Sequence, residues 1–246
     1  MQIDKLYEDD NIIICNKPAG LLVIPDRFNM NIPSLGRNLE AKLGQKIWIV
    51  HRIDKETSGV ICFAKNEEAH RYMSQVFQEH LVKKTYIGLV TGRIIAPEGR
   101  IESAITEHPA IGGKMIIAKK GKPSITDYKV LEQWALYTLV QFQIHTGRTH
   151  QIRLHMQSIG HPLVCDELYG DGKPFMLSSI KRKFKLSEND EAERPLLSRL
   201  ALHAAALEFT KMDGTQLTVE APLPKDISAT VKQLNKWAGT VEEQTW

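Results

Sequence analysis

Apolar residues recur along this chain in short runs, and most runs have the length and alternation of β-strands. "NIIICNKPAGLLVIP" (11–25) opens as a buried strand and breaks at a Pro-Ala-Gly turn. "KIWIV" (46–50) and "GVICFAK" (59–65) predict two more strands, and a short helix is expected near "SLGRNLEAKLG". "NEEAHRYMSQVFQEHLV" (66–82) changes to a period of 3.6. Ala69, Met73, Val76, Phe77 and Leu81 fall on one face, and Asn66, Glu67 and Glu68 suit a helix start. "KKTYIGLVTGRI" (83–94) returns to strand. "SITDYKVLEQW" and "LYTLVQFQIHTG" lie close enough to form a hairpin or meander. "RTHQIRLHMQSIG" (148–160) predicts a helix with Ile152, Met156 and Ile159 as its apolar side and Gly160 at its C-terminal end. "LALHAAALEFT" and "TQLTVEAP" suit closing strands, and "DISATVKQLNKWAG" a last helix.

Strands outnumber helices and mostly follow one another without crossover helices. That pattern predicts an α+β fold with a mixed, largely antiparallel central sheet and flanking helices. The expected organisation is one domain over residues 1–246. Residues 171–198, polar, basic and then acidic with no clear period, are expected to be a surface insertion.

Composition narrows the function classes. Of 246 residues, 42% are hydrophobic and 25% charged, which is ordinary for a globular protein. No apolar stretch approaches the ~20 residues that span a bilayer. The polar start, "MQIDKLYEDDN", is not a secretory leader, so a cytoplasmic location and no membrane partner are expected. Cys15, Cys62 and Cys165 are far apart and outside any ligand pattern, which predicts buried reduced thiols. A net charge of +3 says little, but its distribution says more. "GGKMIIAKKGKP" (112–123) holds four lysines and no acid, and "KRKFK" (181–185) is almost wholly basic. Phosphate-binding surfaces and solvated loops share that composition. No phosphate-binding GxxxxGK[ST], dinucleotide GxGxxG or Gly-x-Ser-x-Gly elbow is present.

Two stretches can carry chemistry. In "IVHRIDKETSGV" (49–60), Asp54 follows a strand and precedes a Thr-Ser-Gly turn. A catalytic carboxylate and a turn-forming Asp both suit that place. Glu56 raises the possibility of a glycosidase pair, but two residues apart on a turn do not reliably converge. In "HTGRTHQIRLH" (145–155), His150 and His155 are five apart, not the four of a metal-binding helix, and no carboxylate completes a set. Arg148 and Arg153, at a loop-to-helix junction, suit an anion instead.

"HRIDKETSG" resembles the His-Arg-Leu-Asp-x-x-Thr-Ser-Gly signature of the RluA family of RNA pseudouridine synthases, with Ile53 in place of Leu. "NKPAG" (16–20), "KKTY" (83–86), "GKPSITDYKVLE" (121–132), "TGRTHQIRLH" (146–155), "GHPLVCDELYG" (160–170) and "RLALHAAAL" (199–207) resemble further family blocks, in order. The resemblance covers nearly the whole chain; only 171–198 has no clear family pattern. It implies that Asp54 is the catalytic carboxylate and that Tyr86 stacks on the uracil and assists proton transfer. It further implies that Arg153 pairs with the catalytic Asp, that Leu200 lines the pocket, and that Arg52 enters the gap left by a flipped-out uridine, with His51 beside it. Arg148, Lys114, Lys119, Lys120 and Lys122 would then grip RNA. The implied partner is an rRNA or tRNA stem-loop, with "LLVIPDRFN" (21–29) leaning that way. No cofactor, no metal, no separate N-terminal RNA-binding domain and a monomer are expected. The rival readings are an idle RNA-binding protein of the same fold and a hydrolase using Asp54 with Glu56.

Overall fold

The alternating runs become strands, and the one strongly helical period becomes a helix. In the computed structural model, which describes residues 3–26, 29, 31–186 and 191–239, the order is β1 (Asp4–Glu8), β2 (Ile12–Lys17), α1 (Leu35–Leu43), β3 (Trp48–Ile49), β4 (Ser58–Ala64), α2 (Glu67–Gln78), β5 (Lys83–Thr91), β6 (Glu98–Glu107), β7 (Met115–Ile117), β8 (Lys122–Gln133), β9 (Tyr137–Ile144), α3 (Gln151–Ser158), a 3₁₀ turn (Leu177–Ser179), β10 (Leu202–Thr210), β11 (Gln216–Glu220) and α4 (Lys225–Trp237). The class is α+β, as expected. The chain divides into two compact units, one of residues 1–86 and 203–222, the other of 87–202 and 223–246.

In the first unit β4 is central. It pairs antiparallel with β2 and β3 and parallel with β10, while β1 extends from β2 and β11 from β10. All seven residues of β4 are buried, which explains its continuous apolar run. The approach to β10 is close enough that a Cβ at Gly59, where φ is +112°, would collide with the Ala204 carbonyl. Helix α2 closes the face, setting Met73 and Val76 among Ile12, Ile14, Val60, Cys62 and Phe209. Its cap is the predicted one: the Asn66 side chain accepts from Ala69 N–H at 2.8 Å. The helix stops at Gln78, so Leu81, expected on its apolar face, is 63% exposed.

The second unit holds an antiparallel meander in which β8 pairs with β9 and β6, and β6 pairs with β7. Helices α3 and α4 belong to it. Ile227, Val231 and Leu234 of α4 pack with Trp134, Val164, Phe175 and Leu197. The last two form an isolated bridge, so the ends of segment 171–198 are stitched into the core; its residues 187–190 lie outside the described residues. Ile159, expected on the apolar side of α3, is instead its C-terminal cap residue and half-exposed. All three cysteines are free and buried, and burial pushes Cys15 up to about 12 and Cys165 up to about 11.

Candidate active site

The Asp54 segment, residues 50–57, runs between β3 and β4 with no ladder of its own, and three anchors hold it. The first is Lys17, at the end of β2. Its side chain is fully buried, and its ammonium donates to the carbonyls of Lys55 at 2.8 Å, Leu21 at 2.7 Å and Pro18 at 3.0 Å. The Lys55 carbonyl also accepts Gly20 N–H at 2.9 Å. The "NKPAG" stretch thus clamps the backbone one residue past Asp54. A buried ammonium stays charged only with such a full set of acceptors.

The second anchor is His51. The β3–β4 ladder ends at the pair Ile49↔Phe63, and the next inward N–H of β4, that of Cys62, donates to His51 Nε2 at 3.0 Å. The ring stacks on Phe77, 4.3 Å between centroids. Burial, then the charge of Lys84, pushes its pKa down to about 3, so the ring is neutral and Nε2 is an acceptor. His51, expected among the RNA-contacting residues, therefore points into the unit and extends the strand ladder with its side chain. The third anchor lies beyond the turn. Thr57 N–H donates to the Asp54 carbonyl at 3.2 Å, and Ser58 Oγ lies 3.0 Å from His203 Nδ1. His203 Nε2 meets the Ala221 carbonyl at 3.2 Å, so Nε2 carries the proton and Nδ1 accepts from the serine.

Between the anchors burial alternates. Ile53 is 9% exposed, Arg52 is exposed and Asp54 is half-buried. An extended segment with its middle residue inward turns its neighbours outward together. Lys55 and Glu56 pair loosely with each other at 3.7 Å. Tyr86, in β5 of the same unit, is buried. Burial, reinforced by the Asp54 carboxylate, holds its phenol well above the usual range, so it is neutral at any working pH.

In the second unit the histidine-arginine cluster disperses. Arg153 is buried and its guanidinium forks onto Asp166, with Nε and Nη2 each 2.8 Å from a carboxylate oxygen. Asp166 also accepts the N–H groups of Leu168 and Tyr169 at 2.9 and 3.0 Å. Tyr169 is a hub. Its ring lies under the Arg153 guanidinium at 5.1 Å and the Lys114 ammonium at 5.9 Å, and its hydroxyl accepts Met115 N–H and meets His150 Nδ1. His145 reaches Asp127 at 2.6 Å, which Arg100 also grips. His155 is wholly buried among the hydroxyls of Ser103, Ser124 and Thr126, and burial pushes it down to about 4. Arg148 Nε donates to the Pro123 carbonyl at 3.0 Å. Leu200 is buried. Lys119, Lys120 and Lys122 are exposed around the β7–β8 turn, whereas Lys114 is half-buried.

The residues missed in the sequence are Lys17, Asp166 and Tyr169. Each sits inside a quoted motif, and the signal for two of them was charge within an apolar run: Lys17 after "IIICN" and Asp166, beside Glu167, in "PLVCDELY". Among the described residues, no group of three or more His, Cys, Asp or Glu side chains could hold a metal, and no helix is long and apolar enough to cross a membrane.

Residues 11–158 match the family profile described as RNA pseudouridylate synthase. The chain is 38% identical over 245 residues to the "Ribosomal large subunit pseudouridine synthase D" of Neisseria meningitidis serogroup B, across 97% of this chain and 63% of that protein. It is 39% identical over 229 residues to a protein of Aquifex aeolicus named "Uncharacterized RNA pseudouridine synthase", across 89% of this chain and 70% of that one. The solved structure of human RNA pseudouridylate synthase domain containing 1 superimposes with a TM-score of 0.72 at 26% identity, covering 99% of this chain and 91% of that one. The chain thus spans less than two thirds of the length of its Neisseria relative.

Proposed function

The chain belongs to the RNA pseudouridylate synthase family, and from that premise we propose that it converts uridine in structured RNA to pseudouridine, with Asp54 as the catalytic carboxylate. The observation that carries this is the pinned segment 50–57, which presents Asp54 and Arg52 outward while Lys17 and His51 fix its backbone. Preorganised placement of one carboxylate is what a reaction on a sugar carbon needs.

The reaction breaks the bond from C1′ to N1, turns the uracil and joins C1′ to C5. N1 gains a proton and C5 loses one, so no atoms are added overall. Asp54 acts next to the ribose, either attacking C1′ or taking the C2′ proton. Tyr86, kept neutral, stacks on the base and offers a hydroxyl rather than a phenolate. Arg153, its guanidinium oriented by Asp166, is the second arginine that the resemblance assigns to the reaction. Leu200 lines the pocket. Arg52 fills the gap that the extruded uridine leaves. The lysines of 114–122 and Arg148 bind backbone phosphates. The name of the Neisseria relative points to large-subunit rRNA as the substrate class.

The test is Asp54→Asn, followed by tritium release from RNA labelled at uridine C5. Turnover should vanish, while RNA affinity stays within roughly tenfold because phosphate contacts dominate binding. Near-wild-type turnover in the variant overturns the assignment.

A further inference from the structure

The basic run at 181–185 plays no part in the reading above, and the structure gives it a setting. It lies in the second unit beside the C-terminal end of α4. Lys181 Nζ stands 4.7 Å from the centroid of the Trp237 ring, and Lys236 Nζ stands 5.0 Å from it. The indole is 39% exposed, with its N–H donating to Gln233 at 3.0 Å. Two ammonium groups thus share one outward-facing aromatic ring.

The helix continues the pattern. Lys225, Lys232 and Lys236 are all exposed and fall at i, i+7 and i+11. At 3.6 residues per turn they return to nearly one line, a row about 16 Å long. The opposite face, Ile227, Val231 and Leu234, is packed in the core, so the row cannot turn inward. The one carboxylate of α4, Asp226, is already held by Arg199 at 2.7 Å, and the neighbouring Glu132 accepts from Asn235. Among the described residues, Lys225, Lys232 and Lys236 form no ion pair. Like charges set in a rigid row repel one another, and the face is relieved when a polyanion covers it.

We propose that the outward face of α4 and segment 181–185 form a second RNA-binding surface, made of different residues from the 114–122 hairpin and the Asp54 loop. The lysine row contacts backbone phosphates. Trp237 gathers the Lys181 and Lys236 ammonium groups at the end of that row, where both reach a phosphate. The proposal rests on RNA being the partner of the site described above.

The experiment uses the full chain and three kinds of RNA: a uridine-containing stem-loop, the same stem extended in steps, and a duplex without uridine. Kd is measured across a salt series for the wild type and for a variant carrying Lys225→Gln, Lys232→Gln and Lys236→Gln. The variant should lose tenfold or more in affinity for the extended RNAs, and its salt slope should flatten by about two to three units, nearly one per phosphate contact. The same three positions changed to Arg should restore both. RNA should change the tryptophan emission of the wild type more than that of Trp237→Phe. A salt slope equal to wild type on every RNA overturns the proposal; that is also the outcome if the face binds an acidic protein. The duplex cannot be a substrate, so a loss there upholds the surface even if no pseudouridine is ever formed. Pseudouridine formation with an unchanged slope rejects the surface and leaves the enzyme reading standing.

Discussion

Lys17→Met should both destabilise the first unit and slow turnover, and the two effects can be sized separately. The wild-type ammonium makes hydrogen bonds to three carbonyls from a fully buried position. A bond from a charged donor contributes about 1.5–3 kcal/mol net, so the gross loss is about 4–9 kcal/mol. Two effects reduce it. The Lys55 carbonyl keeps the Gly20 N–H. The variant also no longer desolvates a charge, which returns several kcal/mol. What remains is chiefly two acceptors without this donor, at about 1–3 kcal/mol each, for a net loss of about 2–6 kcal/mol. In a chain of this size each kcal/mol lowers Tm by about 2–4 °C, so the melting of the first unit should fall by about 4–24 °C. Turnover suffers through geometry, because the clamp sits one residue from Asp54. A shift of about 1 Å there can cost on the order of 10²-fold. Lys17→Arg should not rescue, since a planar fork cannot aim at three converging carbonyls from one point. The assays are thermal unfolding by circular dichroism and single-turnover tritium release at a temperature where the variant is fully folded. A melt within about 2 °C of wild type, less than even 1 kcal/mol would give, with an unchanged rate would refute the clamp.

Arg52→Ala should slow single-turnover conversion of a uridine in a structured stem-loop by about 10²-fold, because extruding a stacked base costs a few kcal/mol, and should slow an unstacked uridine much less; equal losses would make Arg52 part of the chemistry instead. Replacing Lys114, Lys119, Lys120 and Lys122 by Ala should flatten the salt dependence of RNA binding by up to about three or four units, and an unchanged slope would return the hairpin to a solvated loop. The buried histidines make stability depend on acid. The unfolded chain takes up protons below the ordinary histidine pKa of 6.5, which folded His155 refuses until about 4 and His51 until about 3, so stability is full above pH 6.5 and falls as the pH drops toward 4. Each contributes up to about 1.4 kcal/mol per pH unit; His155→Asn should flatten the fall of Tm with pH, and an unaltered curve would mean that this histidine takes up its proton in the fold as readily as in the unfolded chain. Turnover should survive exhaustive chelation on RNA that is already folded, and a strict demand for added zinc or magnesium at the chemical step would contradict that.

Where the chain obeys a strict period, its elements could be read directly. Strands β2 and β4, helix α2 and the β8–β9 hairpin all declared themselves, because each buries a whole face or a whole strand. Strand β6 did not, since "EGRIESAITE" has only scattered apolar positions and is held as a strand by its partners on both sides. β7 is three residues long, too short for any period. β3 was expected to be longer, and it is cut short because the His51 ring takes over the ladder. The helix ends misled in the same way twice: Leu81 and Ile159 continue a periodicity after the backbone has left the helix. For the site, the turn after β3 marked Asp54 as a candidate, but the roles of Tyr86, Arg153 and Arg52 came from resemblance, not from spacing. The partners that fix them, Lys17 and Asp166, are contacts between distant segments, and periodicity carries no information about those.

Strand β10 reaches the first unit from more than a hundred residues downstream, lying parallel to β4 at His203↔Ser58 and Ala204↔Gly59. A parallel neighbour cannot be supplied by a hairpin, so closing this loop has an entropic cost that local contacts do not share. During synthesis, residues 1–86 leave the ribosome long before their missing strand exists. Until residues 203–222 follow, the Ser58–Gly59 end of β4 has an open edge and Ser58 lacks the His203 ring that holds the far side of the Asp54 turn. A chain stopped at residue 202 should therefore bind chaperones and aggregate through that edge. The Asp54 turn would come into register only once residues 203–222 have been made.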